Sequence, residues 1–371
     1  MPVPARAHLQ NLFLRFVQIN GVSLSERAIA DEVIVMLRAA GVHVHEDHAG
    51  KNLNGDTGNL ICLPPNFDYR APAIVLSAHL DTVQPTLELR PQASSTQIGT
   101  DGTTILGADN RLGVSVLVHL LLTLTAEKKA HKNFLVVFTV AEEIGMLGAS
   151  CLELAEYNMR SGFVFDCSRR PGVYIRDCAG AATFEAKFWG KAAHAGVAPE
   201  QGVNAISLAS KALARIPTGR IDADTTVNLG KIFGGGPTNV VPDLVTVEGE
   251  VRAFSPHRLQ QQLDLMQRLI AEAVAPNGRV EFNTQNDFTP YVLAPDSPAV
   301  MALEKALRAV GLTPEPIRYM GGSDANVWNA KGIPTVNIGI GAQKPHTFEE
   351  FVLIEDLVKS AEIAFALIQP D

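Results

Sequence analysis

The sequence predicts an α/β protein in which a sheet covered by helices is interrupted by an inserted ferredoxin-like α+β domain. Outside the insertion, apolar runs without polar alternation, as in strands buried on both faces, alternate with helical segments. Residues 177–288 instead contain alternating, half-exposed strands in the order β-α-β-β-α-β. We therefore expect one domain from residues 1–176 together with 289–371, and a second from residues 177–288.

The composition argues against several classes of protein. With 371 residues, 46% of them hydrophobic and 19% charged, the chain can bury a core and is long enough for two domains. Its formal net charge is −8 and it contains no basic run, which argues against a nucleic-acid partner. Its four cysteines are widely spaced without a C-x-x-C pair, which predicts reduced thiols and a cytoplasmic location.

The most apolar long segment, residues 113–126, is too short to cross a bilayer. It contains His119, which we interpret as a core or helix-end histidine rather than a metal ligand. The N-terminus lacks the apolar region of a signal peptide. We therefore expect no membrane partner.

The first domain is predicted to begin with two helices, residues 8–19 and 24–40, the second of them starting near Ser23 or Ser25. Its strands are apolar runs that break into polar residues. The predicted strands are 71–81, 133–143, 161–168 and 332–341, and the remaining predicted helices are 109–126 and 354–368. In open α/β sheets, ligand groups gather where strands end at their carboxyl edges.

Metal-capable side chains follow or interrupt these elements at their ends. A single histidine or acid after a strand is usually a cap or turn residue, but a series of them in consecutive connections is unlikely to arise by chance. Histidine and carboxylate groups suit a paired zinc site, in which one carboxylate bridges two ions. The residues concerned are His79, Asp81, Asp109, Glu142, Glu143, Asp166 and His346.

The spacing of these residues along the sequence indicates different roles for them. His79 and Asp81 are two residues apart on a strand and face the same side, so Asp81 can hold the far nitrogen of His79. Glu142 and Glu143 are adjacent and diverge, so one can reach a metal while the other meets the water as a general base. Taken alone, the two glutamates would also fit a solvated helix start.

The inserted domain contributes three candidates. His194 lies in a loop rich in glycine and alanine, where an imidazole could donate a hydrogen bond to an oxyanion. A loop histidine without a catalytic role fits the sequence equally well. Asn239 and Arg252 lie on paired strands, and Arg252 could clamp a substrate carboxylate or form an ordinary surface salt bridge. The glycine-rich residues 232–239 lie between two strands and lack the context of a phosphate loop.

These motifs together resemble the di-zinc exopeptidases of the peptidase T-like group, within the wider set that includes carboxypeptidase G and aminoacylase. The matching stretches occur in the family's order between residues 77 and 351, and the N-terminal helices fit as well. One stretch departs: ADNRLG stands where the family often has two acids and a lysine, but Asn110 is not a ligand position. The stretches are SAHLDTV, DGTTILGADNRLGV, TVAEEIGMLGA, GKAAHAGVAPEQGVNAI, GGGPTNVVPD and GGSDANVWNAKGIPTVNIGIGAQKPHTFEEF.

The resemblance implies a zinc-exopeptidase-like catalytic domain with an inserted lid and dimerisation domain, and two Zn²⁺ ions per subunit, replaceable by cobalt or manganese. The implied roles fall into metal binding, proton transfer and substrate binding. His79 and Asp166 would bind one ion, Glu143 and His346 would bind the other, and Asp109, which would precede a cis peptide bond to Asn110, would bridge the two ions. Asp81 would orient His79, and Glu142 would be the general base. His194 would act at the active site of the partner subunit of a homodimer, and Asn239 and Arg252 would contact the substrate.

The expected function is metal-dependent hydrolysis of an amide bond in small peptides by a peptidase T-like aminopeptidase or tripeptidase. An N-acyl amino acid deacylase or a carboxypeptidase-type amidohydrolase would use the same machinery on another substrate. A metal-stabilised binding protein without activity is the remaining alternative, against which the intact Asp81, Glu142 and His194 argue.

Overall fold

The computed structural model describes residues 6–275 and 278–370, and the chain divides into two compact units. The first unit contains the described residues up to Arg176, then Val292–Arg318, and the described residues from Ser323 onward. The second contains the described part of Asp177–Tyr291 together with Tyr319–Gly322. The division expected from the sequence differs in detail, because residues 289–291 and the short return at Tyr319–Gly322 lie with the second unit.

Ten α-helices lie in the described residues. They are α1 Arg6–Val17, α2 Arg27–Ala39, α3 Ala49–Leu53, α4 Ala108–Glu127, α5 Leu147–Cys151, α6 Ala205–Leu213, α7 Pro256–Val274, α8 Pro298–Ala309, α9 Asp324–Ala330 and α10 Ile354–Leu367.

Eighteen strands accompany them in the same described ranges. They are β1 His43–Glu46, β2 Leu60–Leu63, β3 Ala73–His79, β4 Gln92–Ala93, β5 Gln97–Gly99, β6 Phe134–Thr139, β7 Met159–Cys167, β8 Val173–Cys178, β9 Gly180–Trp189, β10 Gly219–Asp222, β11 Thr225–Gly234, β12 Leu244–Ala253, β13 Arg279–Phe288, β14 Tyr291–Val292, β15 Glu315–Tyr319, β16 Thr335–Gly339, β17 Ala342–Gln343 and β18 Phe351–Leu353.

The main sheet has the order β1-β2-β6-β3-β7-β16-β8-β14, with β15 paired to β8. Its centre, β6-β3-β7-β16, is parallel, and these are the four strands that the apolar runs predict. Every residue of β6 is buried, as expected for a strand covered on both faces. The flanking pairs β1·β2, β2·β6 and β8·β16 are antiparallel, and the sequence analysis did not predict these additional strands.

Helix α4 runs through the interior of the first unit, as its apolar composition predicts. Fourteen of its twenty residues are buried, and it contacts α1, α10 and β3. His119 is buried within it, in agreement with its interpretation as a core residue. No helix within residues 6–275 and 278–370 is long and apolar enough to cross a membrane.

The start of α2 differs from the sequence prediction. The helix begins at Arg27, and the residue before it, Glu26, makes no side-chain capping bond. Neither Ser23 nor Ser25 caps the helix as predicted. The Ser23 hydroxyl instead donates to Asp81 Oδ2 across 2.6 Å, because the chain turns before α2 and carries this side chain toward the end of β3.

The second unit has the predicted ferredoxin-like order, with one extra short strand, β10. Its antiparallel sheet runs β10-β11-β12-β9-β13, and helices α6 and α7 contact β9 and β12 of that sheet. Apolar residues from both helices and from the alternating positions of the strands form one core, including Phe188, Leu263 and Met266. The alternation in the sequence is the consequence of this one-sided burial.

Candidate metal centre

Three parallel strands deliver acidic or imidazole side chains to one edge of the main sheet. His79 is the last residue of β3, Asp166 is the penultimate residue of β7, and β6 ends at Thr139 just before the two glutamates. Since β3, β6 and β7 are parallel, their carboxyl ends meet at the same edge.

His79, Asp109 and Asp166 form the first group of donor atoms. His79 Nε2 lies 3.0 Å from Asp109 Oδ1 and 3.2 Å from Asp166 Oδ1. Asp109 enters at the start of α4, where a cis peptide bond joins it to Asn110, as the resemblance implied. The Asn110 amide donates to Asp166 Oδ1 across 3.0 Å and so ties the two carboxylates to one another.

Asp109, Glu143 and His346 form the second group. His346 Nε2 lies 3.0 Å from Glu143 Oε1 and 3.5 Å from Asp109 Oδ2. His346 lies in the turn between β17 and β18 with a left-handed φ of +63°. Asp109 therefore presents one carboxylate oxygen to each histidine, and the two groups meet at this residue.

Glu142 and Asp81 lie beside these donors. Glu142 Oε2 is 4.0 Å from His79 Nε2, so this carboxylate faces the first group while its neighbour Glu143 belongs to the second. Donor atoms of Glu142, Glu143 and His79 also lie within 4.8 Å of one another, so the divergence that adjacency predicts stays a prediction. His79 Nδ1 contacts the backbone oxygen of Asp81 at 3.0 Å and the carboxylate at 3.4 Å, so the far nitrogen of His79 is held by the residue that the spacing predicts.

Burial and crowding of carboxylates shift the proton affinities of these groups. Burial raises the pKa of Glu142 well above its ordinary value, and Asp166 and Glu143 add to the rise while His79 opposes it. Hydrogen bonds to Asp109 and Glu143 raise the pKa of His346 to about 10. Burial lowers the pKa of His79, but bonds to Asp109 and Asp166 outweigh it and raise the pKa well above its ordinary value.

The donor set fits a pair of divalent cations. Two ligand atoms at about 2.1 Å from a tetrahedral zinc ion lie about 3.4 Å apart, and the nitrogen–oxygen separations within each group are 3.0–3.5 Å. Four carboxylates around two imidazoles also leave an excess of negative charge that cations would neutralise. Imidazole and carboxylate are the donors that catalytic zinc takes.

Several supporting residues were not found from the sequence. Glu350 is buried, and its two carboxylate oxygens accept the backbone N–H groups of Gly107 and Asp109 at 2.8 and 3.1 Å. Asp324 is buried and accepts the Thr139 hydroxyl at 2.5 Å. Both acids lie inside the last of the matching stretches, residues 321–351, but nothing in the local sequence distinguishes either of them from a surface acid.

The three candidates of the second unit make contacts with neighbours in that unit. His194 is exposed; its Nδ1 accepts the N–H of Gly196 at 3.2 Å, and the Asn239 carbonyl accepts the N–H of Ala195. The side chain of Arg252 is already paired, with Nε and Nη2 each 2.8 Å from a carboxylate oxygen of Glu250.

The donor groups that meet at Asp109 lie at the carboxyl edge of a parallel sheet, and their two imidazoles and three carboxylates fit the donor set of a dinuclear metallohydrolase. The chain belongs to Peptidase family M20/M25/M40, whose model matches residues 75–369. The predicted resemblance to peptidase T-like metallopeptidases is thereby confirmed.

Individual relatives agree over nearly the whole length. The chain is 35% identical to the uncharacterized protein YqjE of Bacillus subtilis (strain 168) over 358 residues, covering 96% of each protein. The solved structure of aminopeptidase PepT from Bacillus cereus ATCC 10987 is similar with a TM-score of 0.89 and 33% identity, over 99% of this chain and 98% of that one. A tripeptidase from Staphylococcus aureus subsp. aureus Mu50 gives a TM-score of 0.93 and 32% identity over the same shares.

Proposed function

We propose that this protein hydrolyses the peptide bonds of small peptides, as a peptidase T-like aminopeptidase or tripeptidase with two zinc ions per subunit. One observation carries the proposal: Asp109 faces His79 with one carboxylate oxygen and His346 with the other, so two donor groups share it. The similar solved structures described as an aminopeptidase and as a tripeptidase support the choice of substrate.

The metal ligands would divide between the two groups. His79 and Asp166 would hold one ion, Glu143 and His346 the other, with Asp109 between them. Cobalt or manganese could replace zinc, because imidazole and carboxylate donors accept all three. When bound, the metal pair supplies Lewis-acid polarisation of the carbonyl and a more acidic water.

The protein's own groups then move protons and orient ligands. Glu142 lies beside His79 and outside the two donor groups that share Asp109, although it also forms a possible donor group with His79 and Glu143. It would take the proton from the attacking water and return it to the leaving amine. Asp81 would keep His79 in the tautomer whose Nε2 faces the first ion, because its backbone oxygen lies 3.0 Å and its carboxylate 3.4 Å from Nδ1. In this arrangement Glu143 would bind a metal ion and its neighbour Glu142 would transfer protons.

The second unit would provide substrate contacts and the subunit interface. His194 would steady the oxyanion in the partner subunit of a homodimer, while Asn239 and Arg252 would contact the substrate backbone or carboxylate. Exposed apolar side chains in this unit favour a protein partner, among them Val197 at 77% and Ile232 at 63% exposure. We further propose a cytoplasmic location, in keeping with the wide spacing of the four cysteines in the sequence and the lack of a C-x-x-C pair.

A substrate panel tests the proposal. Purified protein is stripped with a chelator, reloaded with zinc, cobalt or manganese, and assayed on di- and tripeptides with free, N-acylated and C-amidated ends. We expect activity that the chelator abolishes, that metal restores, and that requires a free amino end. A preference for N-acylated substrates would indicate the deacylase instead, and a requirement for a free carboxylate alone would indicate the carboxypeptidase-type amidohydrolase. No turnover with any metal would favour the binding protein.

A further inference from the structure

The loop that follows β6 is held by side chains from distant parts of the chain. Four consecutive backbone N–H groups, residues 140–143, each donate to a side-chain oxygen. Val140 donates to Asn59 Oδ1 at 3.1 Å, Ala141 to Glu26 Oε1 at 2.8 Å, Glu142 to Asp81 Oδ1 at 3.0 Å and Glu143 to Asp81 Oδ2 at 3.1 Å. Three side chains outside the loop therefore help to set its shape, together with backbone hydrogen bonds such as that from the Leu147 N–H to the Ala141 oxygen.

Ala141 is the residue at which this loop departs from the strand. Its φ is +52°, in the left-handed region that an alanine seldom adopts. The residue is buried, so its N–H has no access to water and would be costly to leave without an acceptor. The Glu26 carboxyl supplies that acceptor, and the conformation places Glu142 and Glu143 directly after the turn.

Apart from Ala141, the carboxyl of Glu26 interacts with the nearby backbone N–H groups of Leu24 and of Glu26 itself. It precedes α2 but makes no capping bond with that helix. It is fully buried, and burial together with the nearby Asp81 raises its pKa to about 7. A buried carboxyl in contact with no cationic group is costly, and a leucine or methionine would fill the space without that cost.

The neighbouring Arg111 offers partial compensation for the buried acids. Its side chain is fully buried and donates to the backbone oxygens of Leu80 and Ile19 rather than to a carboxylate. Burial lowers the pKa of Arg111 to about 10, and the carboxylates of Asp81 and Glu26 oppose that shift. The guanidinium thus shares one buried charged region with the two acids that hold the loop.

We propose that Glu26 is a positioning residue for the reaction: its carboxyl oxygen holds the Ala141 N–H and fixes the turn that separates Glu142 from Glu143. This inference rests on the proposed function of those two residues. A displacement of about 1 Å in a catalytic group can reduce the rate about 100-fold. Loss of the Glu26 contact therefore reduces kcat, while substrate binding by other residues leaves KM nearly unchanged.

Two substitutions separate the hydrogen bond from the charge and the volume. Glu26→Gln keeps a carbonyl oxygen in the position of Oε1, whereas Glu26→Met fills a similar volume without a strong acceptor. We expect Glu26→Met to lower kcat about 10- to 100-fold with KM changed less than about threefold and two metal ions still bound. Glu26→Gln restores kcat to within a few-fold of the unsubstituted protein.

A control variant accounts for lost stability. Asp356 is another buried carboxylate of the first unit, and its side chain pairs with Arg170. Asp356→Met should lower the melting temperature as Glu26→Met does but leave kcat intact well below that temperature. Unchanged kcat in Glu26→Met, or equal loss of kcat in Glu26→Gln and Glu26→Met, would overturn the proposal.

A second measurement does not depend on activity. Amide hydrogen exchange of residues 140–143, measured on metal-free protein, should be faster in Glu26→Met than in Glu26→Gln or Asp356→Met. If the unsubstituted protein hydrolyses no peptide with any metal, the proposed function fails, and the exchange result still decides whether Glu26 holds the loop. Equal exchange in all three variants would refute that contact.

Discussion

The backbone N–H of Glu142 donates to Asp81 Oδ1 across 3.0 Å. Asp81 also lies beside the imidazole of His79, with its backbone oxygen 3.0 Å and its carboxylate 3.4 Å from Nδ1. One residue thus supports both a member of the first donor group and the loop that carries the proposed base. A side chain with two such tasks couples the position of a metal ligand to the position of a proton acceptor. This coupling goes beyond the orienting role that sequence spacing assigns to Asp81.

Asp81→Asn should therefore weaken both the support of His79 and the support of the loop. The amide nitrogen of asparagine cannot accept a hydrogen bond from the loop. One of the two backbone N–H groups, that of Glu142 or that of Glu143, would therefore lose its acceptor. We expect a loss of about 10- to 100-fold in kcat or in metal affinity, measured by steady-state kinetics and metal titration. Asp101→Asn, on an exposed turn of the same unit, is the matched control. Unaltered kinetics and metal content in Asp81→Asn would contradict the assignment.

The adjacent glutamates allow a comparison in which each variant controls for the other. Glu143→Ala removes a donor 3.0 Å from His346 Nε2 and should reduce the metal content of the purified protein. Glu142→Ala should retain both ions but lose about 100- to 10,000-fold in kcat, the usual contribution of a general acid–base group. Metal analysis and kcat are measured on the same preparations. Full activity in Glu142→Ala, or two tightly bound ions in Glu143→Ala, would refute this division.

The four central strands and the residues at their ends could be predicted because their signals are local. An apolar run that stops at His79 or before Glu142 is visible in a short window. The supporting contacts are not local: Glu26 and Ala141 are 115 positions apart, and Gly107 and Glu350 are 243 apart. Buried acids such as these have the same local sequence context as acids on a surface. The short strands β1 and β2 were missed for a similar reason, since only pairing within the sheet defines them.

The ion pair between Arg252 and Glu250 makes the proposed carboxylate clamp testable. Arg252 also donates to the backbone oxygen of Met320 at 2.9 Å and lies 5.7 Å from the centre of the Phe288 ring. Its guanidinium is thus held in one orientation, and a substrate carboxylate would approach the outer donors. Lysine cannot reproduce this planar, bidentate arrangement.

Arg252→Lys should therefore raise KM for peptides with a free carboxylate about 10-fold or more, the equivalent of losing one charge-assisted hydrogen bond. KM for the C-amidated peptides should change much less. Arg258→Lys, in the same unit and paired with Asp222, serves as the control. Equal effects of Arg252→Lys on free and amidated peptides would show that Arg252 does not bind the carboxylate.

The contact of the buried His119 with the exposed His8 predicts a loss of stability in acid that is independent of the metal centre. His119 is 2% exposed, and its Nδ1 lies 2.9 Å from His8 Nδ1. Burial, with the nearby His8, lowers the pKa of His119 to about 4, against about 6.5 in an unfolded chain. Between those values the unfolded state binds the extra proton, so stability is full above pH 6.5 and falls as the pH decreases toward 4.

His119→Phe should remove this dependence, because phenylalanine fills the site and binds no proton. Unfolding by urea is followed at pH 7.5 and pH 5 on chelator-treated protein, so that metal release does not contribute. The unsubstituted protein should lose up to about 2 kcal/mol more than His119→Phe between these pH values, from the 1.36 kcal/mol per pKa unit of linkage. His43→Gln, at an exposed position of β1, should behave like the unsubstituted protein. If His119→Phe and the unsubstituted protein lose the same stability, His119 is already protonated in the folded state at pH 5, and its burial does not control acid unfolding.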